Sequence, residues 1–224
     1  MDISVIIPTL NESATIAQTV QRTRALGPCE IIVVDGGSHD GTLAAAGSAD
    51  QCLNTLRGRA TQQNRGAAVA GGDVLLFLHA DCWLEAGAFE AMQHALSDSR
   101  CVGGCFRQMI DAEGWGYRTV ERGNALRVRW LKWIYGDQAL FVRREVFQRV
   151  GGYPELELME DLYISKRLKR KGRLWVVDHS LHVSPRRWQQ VGLIRQTLRN
   201  WAFVGLAHCG VSPHRLARHY ANIR

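Results

Sequence analysis

The chain has 224 residues and is 46% hydrophobic, enough for one well-packed domain, short of two typical ones, and too apolar to be disordered. Charge divides it: residues 1–112 carry 7 Lys/Arg against 12 Asp/Glu (net −5), whereas residues 113–224 carry 21 against 9 (net +12), giving +7 in all. Met1-Asp2 runs straight into Ile3–Pro8 with no basic start or small-residue cleavage site, and no apolar stretch reaches the roughly 18 residues a membrane span needs, so a cytoplasmic protein is expected.

Strand and helix patterns alternate through the first half. Ser4–Ile7 is a short apolar strand, and Glu12–Leu26 follows with helical spacing at Ile16, Val20 and Leu26. Glu30–Val34 is a second strand, closed by Asp35-Gly36-Gly37-Ser38. Asp40–Ala46 starts a second helix with Ser38 or Asp40 as its N-cap. Asp50–Asn54 is a short strand, Thr61–Ala70 a helix, and Val74–His79 a strand of continuous apolar residues up to His79. Continuous apolar strands separated by helices predict a mostly parallel sheet with helices on both faces. Ligands of such sheets bind beyond the carboxyl ends of the strands, so the loops Pro8–Glu12, Asp35–Gly41 and His79–Cys82 should converge.

The second half is less regular. Gly114–Tyr135 carries Trp115, Tyr117, Trp130 and Trp133 among basic residues. Ala139–Val142 and Leu174–Val177 read as strands, Asp161–Lys171 as a helix, and Trp188–Leu206 as one long amphipathic helix. No internal repeat or linker separates the halves, so one domain is expected over 1–224. The six cysteines (Cys29, Cys52, Cys82, Cys101, Cys105, Cys209) form no C-x-x-C pair and read as reduced, mostly buried thiols.

Several acids sit where chemistry needs them. Asp35 ends a strand and opens a glycine turn, as suits a carboxylate that accepts hydrogen bonds from a base or ribose; a capped tight turn reads equally well. There is no G-x-G-x-x-G or Walker sequence, which counts against NAD and P-loop readings. Asp81 in His79-Ala80-Asp81 is placed to hold Mg²⁺ or Mn²⁺ against diphosphate oxygens, or to cap a helix. His79 has ribose, metal and strand capping open to it, and His179 or His182 could add a metal ligand. Arg59 offers a planar fork to phosphate, while Arg65 reads as a surface residue. Glu160-Asp161 pairs two acids, each raising the other's pKa, which helps a general base; helix-dipole complementation is the plainer alternative. Arg186-Arg187-Trp188 suits a leaving group that gains negative charge, or simply begins a basic helix.

Together these motifs resemble the family 2 glycosyltransferases of GT-A fold: Val5–Glu12, Val33–Ser38, Arg59 with Asn64–Gly66, His79-Ala80-Asp81 and Glu160-Asp161. Gly58–Ala60, Leu78–Asp81, Tyr135–Gln138, Gly151–Pro154 and Ser184–Trp188 are similar to a narrower bacterial branch, the radical-SAM/selenodomain-associated glycosyltransferases. The resemblance implies a nucleotide pocket formed by Pro8, Thr9, Glu12, Asp35 and Arg59, with His79 beside it. It implies Asp81 as the metal ligand for Mn²⁺ or Mg²⁺ and Asp161 as the base of an inverting transfer. Glu160 would orient the acceptor or tune Asp161. Asp137, Gln138, Arg186, Arg187 and Trp188 would face the diphosphate or acceptor, and Gly151-Gly152-Tyr153 the acceptor side.

Two departures stand out. His79 occupies the first acid position of D-x-D, and Ser184 replaces the Gln of the processive Q-x-x-R-W element, which favours transfer of one sugar. The donor is then a nucleotide-sugar, UDP-linked by resemblance, with residues 1–112 holding it and residues 113–224 holding acceptor and base. The acceptor is not legible. Two other functions fit parts of the chain. A nucleotidyltransferase of similar fold would need a glycine-rich basic loop where Pro8–Glu12 stands. A non-catalytic basic module on nucleic acid or membrane would leave the acids idle, and no nucleic-acid partner is expected. The Trp188–Leu206 helix could lie peripherally on an anionic inner membrane face, although packing into the core is its simpler use.

Overall fold

A computed structural model describes residues 1–28 and 30–219. Strands β1 (Ile3–Thr9), β2 (Glu30–Asp35), β3 (Gln51–Asn54) and β4 (Val74–Phe77) form the first half of the sheet. Val5, Ile6, Ile7, Ile31–Val34 and Val74–Phe77 are buried on alternating sides, so both faces of these strands are covered. This burial is why their sequences are continuous apolar runs. β1 lies parallel between β2 and β4, and β3 flanks β2. Helices α1 (Ile16–Arg24), α2 (Thr42–Ala45) and α3 (Arg59–Val69) make the connections. Asp40 Oδ1 accepts the Thr42 N–H at 3.1 Å where α2 starts, whereas Ser38 Oγ accepts the Asn11 N–H instead. At Gly66, α3 approaches the sheet so closely that a Cβ would sit 2.5 Å from Ile6 Cγ2.

The chain continues through β5 (Cys82–Leu84), α4 (Ala88–Ser97), β6 (Cys101–Ile110), α5 (Trp115–Leu131), a 3₁₀ turn (Gly136–Gln138), β7 (Phe141–Arg143), α6 (Arg144–Arg149), α7 (Glu160–Lys169), β8 (Arg173–Val183), α8 (Arg186–Val191), α9 (Leu193–His208) and α10 (Pro213–His219). The described strands form one mixed, mostly parallel sheet of order β3-β2-β1-β4-β7-β6-β8-β5. β7 runs antiparallel to both β4 and β6, β8 parallel to β6, and β5 antiparallel to β8. Because β1, β2 and β4 are parallel neighbours, their carboxyl ends share one edge, and β7 carries the second half of the chain alongside them.

Three expectations change. The helix expected over Trp188–Leu206 is two helices, broken at Gly192, whose φ of 91° only glycine adopts readily. The strand expected over Leu174–Val177 and the strand expected to carry His179 and His182 are one, running to Val183, because its far end pairs with β5. The thiols divide: Cys82, Cys101 and Cys105 are buried, Cys52 and Cys209 are exposed, and Cys29 lies outside the described residues. Arg65 is exposed, as expected.

Candidate active site

Thr9 and Asp35 end adjacent strands in register. The buried Asp35 carboxylate accepts hydrogen bonds from Thr9 Oγ1 (3.1 Å), Gly37 N–H (3.0 Å), Ser38 N–H (2.7 Å) and Ser38 Oγ (2.5 Å). Its oxygens therefore close the glycine turn. Gln62 Nε2, on α3, ties the two strand ends together through Thr9 O (2.7 Å) and Val34 O (2.9 Å). Asp35 and Thr9 shape the loop from behind, while Pro8, Leu10 and Glu12 face a narrow cleft.

The opposite wall of that cleft comes from the β4–β5 loop and α8. His79, Asp81, Arg186 and Arg187 line it together with Arg59. Arg186 Nη2 lies 3.2 Å from Glu12 Oε2 and 3.5 Å from Asp81 Oδ2, so one guanidinium bridges two carboxylates contributed by distant parts of the chain.

Beyond His79 and Asp81 the cleft opens into a cavity of about 500 Å³. Helix α7 delivers Asp161 to its wall. Met159, the residue before the helix, has a φ of 67°, an uncommon and strained conformation for a side-chain-bearing residue. Glu160 is buried and pairs with Arg59 Nη1 at 3.1 Å. Asp161 Oδ2 accepts the Gly136 N–H at 2.6 Å, and Oδ1 accepts the Leu162 N–H at 2.8 Å. Burial, reinforced by the neighbouring Glu160 charge, pushes the Asp161 carboxyl up to about 7, against the opposing pull of Arg59 and the two N–H donors. A carboxyl that titrates near neutrality is suited to exchanging a proton with substrate. Gly136 fills the gap between the two regions: a Cβ there would lie 2.7 Å from His79 Nε2 and 3.4 Å from Asp161 Oδ2.

The cavity wall around Asp161 is largely apolar, with Trp133, Leu158, Met159, Trp188, Trp201 and Phe203. Among the residues lining it, Asp137 Oδ1 and Trp188 Nε1 are buried polar atoms with no hydrogen-bond partner in the protein. Sequence reasoning missed Asn124 and Arg127 of α5, which also line it. Arg127 stacks 3.6 Å over the Tyr135 ring and donates to Gln138 Oε1 at 2.8 Å. Gln138, expected to face diphosphate or acceptor, is instead buried and spent on Arg127 and the Tyr135 N–H. Gly151-Gly152-Tyr153 is also displaced from the acceptor side. Tyr153 packs edge-on to Phe77, and its backbone exchanges two hydrogen bonds with Asn64, which anchors α3.

Residues 4–152 match the family model described as Glycosyl transferase family 2. The chain belongs to that family. As a family 2 glycosyltransferase it shares its GT-A fold with solved structures. These include S. aureus TarS (TM-score 0.66, 15% identity, covering 82% of this chain and 37% of TarS). Another is the mannosyltransferase PcManGT from Pyrobaculum calidifontis in complex with GDP-Man and Mn²⁺ (0.63, 22%, 80% and 56%). A third is GalNAc-T7 with UDP, GalNAc and Mn²⁺ (0.62, 18%, 82% and 44%). The chain thus spans between 37% and 56% of the length of these structures. By sequence, no curated protein matches it. The family matched is one of glycosyl transferases, not of nucleotidyltransferases or non-catalytic modules.

This glycosyltransferase brings one nitrogen, one oxygen and one sulfur donor, from His79, Asp81 and Cys82, within 4.8 Å of one another. Burial raises the Cys82 thiol well above its ordinary value, and a soft sulfur is a poor match for a hard, oxygen-preferring cation. A carboxylate with an imidazole in reach fits Mn²⁺, which accepts nitrogen, better than Mg²⁺. His182 is engaged elsewhere: it stacks on Trp83 at 3.6 Å, with Nδ1 2.6 Å from Asp111 Oδ1 and Nε2 3.0 Å from Glu85 Oε1. His179 Nε2 lies 3.0 Å from where a Gly87 Cβ would sit, and neither histidine lines the cleft or the cavity.

Proposed function

We propose that the chain transfers a single sugar from a UDP-linked donor to an acceptor hydroxyl with inversion at the anomeric carbon. The observation that carries this reading is Asp161, a carboxylate raised towards neutrality on the wall of a cavity, across Gly136 from the His79–Asp81 loop. In the proposed step Asp161 takes the proton of the acceptor hydroxyl. The freed oxygen attacks the anomeric carbon opposite the diphosphate, the carbon–oxygen bond to the diphosphate breaks, and the leaving charge meets Arg186 and Arg187. A divalent cation held by Asp81, with His79 in reach, would supply neutralisation of the diphosphate.

The neighbours support the donor class, since TarS 1-349 has been solved with UDP and with UDP-GlcNAc, and two others carry Mn²⁺. The choice of UDP rests on family resemblance. The proposed division of labour, donor on residues 1–112 and acceptor on residues 113–224 of one domain, is supported by Glu12, Arg59, His79 and Asp81 on one side and Asp137, Asp161 and Trp188 on the other. The partnerless Asp137 Oδ1 and Trp188 Nε1 suit acceptor hydroxyls, and the apolar wall suits an acceptor with an apolar portion next to them. Ser184, which lines the cavity, continues to favour non-processive transfer. Buried free thiols support a reducing, cytoplasmic setting, and the paired motifs at Gly58–Ala60 and Ser184–Trp188 support the radical-SAM-associated branch.

The test is a thermal-shift panel of UDP-, GDP- and ADP-sugars with and without Mn²⁺. A shift selective for UDP-sugars and dependent on Mn²⁺ is expected. A GDP- or ADP-selective shift overturns the choice of base, a UDP shift indifferent to Mn²⁺ removes the metal, and no shift with any donor overturns the reading.

A further inference from the structure

We propose that the outward faces of α9 and α5 form a surface that docks on an anionic lipid bilayer. On α9, Ile194, Leu198 and Trp201 recur at helical spacing and fall on one face, with relative exposures of 74%, 58% and 64%. The opposite face already packs on the protein, with Gln196 and Phe203 buried and Leu193 seated where Gly116 of α5 has no Cβ. The outward stripe is thus an additional, exposed apolar face of the helix. On α5, Trp115, Leu126 and Trp130 also share one stripe, with exposures of 85%, 56% and 75%. Three exposed tryptophans on two contacting helices exceed the scattered apolar residues of an ordinary surface.

Charge selects the occupant. No Asp or Glu follows Asp178 in the sequence, whereas seven arginines do. Arg195 beside the α9 stripe and Arg122 and Arg129 beside the α5 stripe are exposed, and among the described residues none forms an ion pair with a carboxylate. Tryptophan with arginine at its flank matches the headgroup layer of an acidic membrane, where the indole sits at the interface and the guanidinium meets lipid phosphate. An isologous contact with a second copy would set arginine against arginine, with only Glu113 and the already paired Glu121 near α5 to answer it. No helix among the described residues is long and apolar enough to cross a membrane, so the surface lies on the bilayer. Trp201 also lines the Asp161 cavity, so docking would bring the mouth of that cavity to the lipid surface.

Co-sedimentation of the full chain tests this, using vesicles of phosphatidylglycerol with phosphatidylcholine against phosphatidylcholine alone. The chain should pellet with the acidic vesicles, less so as salt rises, and stay in solution with the neutral ones. Ile194→Ser with Trp130→Ser should cut the partition coefficient at least about tenfold, and Arg122→Glu with Arg195→Glu by a similar factor, at about 1 kcal/mol for each basic residue near the surface. Their melting temperatures should match the parent's. The proposal is overturned if the parent ignores acidic vesicles. It is equally overturned if the variants pellet as well as the parent, or if sedimentation velocity shows a dimer that Ile194→Ser with Trp130→Ser converts to monomer.

Discussion

Arg59 Nη1 lies 3.1 Å from Glu160 Oε1, joining the first residue of α3 to the first residue of the helix that carries Asp161. The two partners act on Asp161 with opposite signs: the Glu160 charge raises its carboxyl and the Arg59 charge lowers it. Glu160→Gln should therefore move the acid limb of the kcat/KM profile to lower pH, and Arg59→Gln should move it to higher pH. Arg59→Gln should also cost about 3–5 kcal/mol of stability, since it leaves the buried Glu160 carboxylate without its guanidinium. Paired pH–rate profiles and urea denaturation decide both, and shifts of the same sign would reject this electrostatic account.

Asp161→Asn removes the proposed base while keeping the shape. A loss of about 10²–10⁴ in kcat is expected, with UDP affinity unchanged by calorimetry. Stability supplies a second readout. The folded Asp161 carboxyl titrates above its unfolded value, so between about pH 4 and pH 7 the folded chain holds a proton that the unfolded chain has released. This group's contribution to stability falls as pH rises through that window and is level above it. The Asn variant lacks the fall, so its melting temperature should gain on the parent's from pH 4 to pH 7.5. A constant difference across that range would show that Asp161 is not raised.

The strand ends that form the proposed donor side were legible because physics writes them locally. Buried parallel strands must be continuous apolar runs, and the residue that ends each run is marked by glycine, proline or acid, as at Pro8, Asp35 and Asp81. The orientation of those ends was not legible: Asp35 turns its carboxylate into its own loop, which depends on the register with Thr9. The acceptor side was hidden for a different reason. β6 contains Gly103-Gly104, poor strand formers, because added Cβ atoms would lie 2.3 Å from Phe141 O and 2.1 Å from Trp175 O, a crowding that only the folded sheet reveals. Asn124 and Arg127 look like any polar residues of an arginine-rich helix until α5 is laid over the cavity. The break at Gly192 is the exception, since a glycine inside a helical pattern marks it in the sequence itself.

Gly136→Ala tests whether donor and acceptor regions are mechanically joined. A methyl group there would press on His79 Nε2 at 2.7 Å and crowd Asp161 Oδ2 at 3.4 Å, while Gly136 itself has no left-handed φ that alanine would strain. Mn²⁺-dependent UDP affinity and kcat should fall together, with a stability loss of about 1–3 kcal/mol from overpacking. If UDP affinity holds while kcat falls, the crowding reaches Asp161 alone, and the join through His79 is refuted.

Arg186 stands between Glu12 and Asp81, where its guanidinium neutralises the carboxylate assigned to the metal. A cation held by Asp81 would have to compete with Arg186 for that carboxylate in the free enzyme, whereas a bound diphosphate would give Arg186 another partner. Arg186→Ala should therefore tighten Mn²⁺ binding to the free enzyme and weaken UDP binding in the presence of Mn²⁺ by about tenfold or more, since a charge-assisted contact to phosphate is lost. Asp81→Ala should do the reverse in part, abolishing the Mn²⁺ dependence of UDP binding while freeing Arg186 for the diphosphate. Manganese titrations followed by electron paramagnetic resonance, run with and without UDP, separate the two effects. Equal loss of Mn²⁺ affinity in both variants would mean that Arg186 supports the metal and does not compete with it.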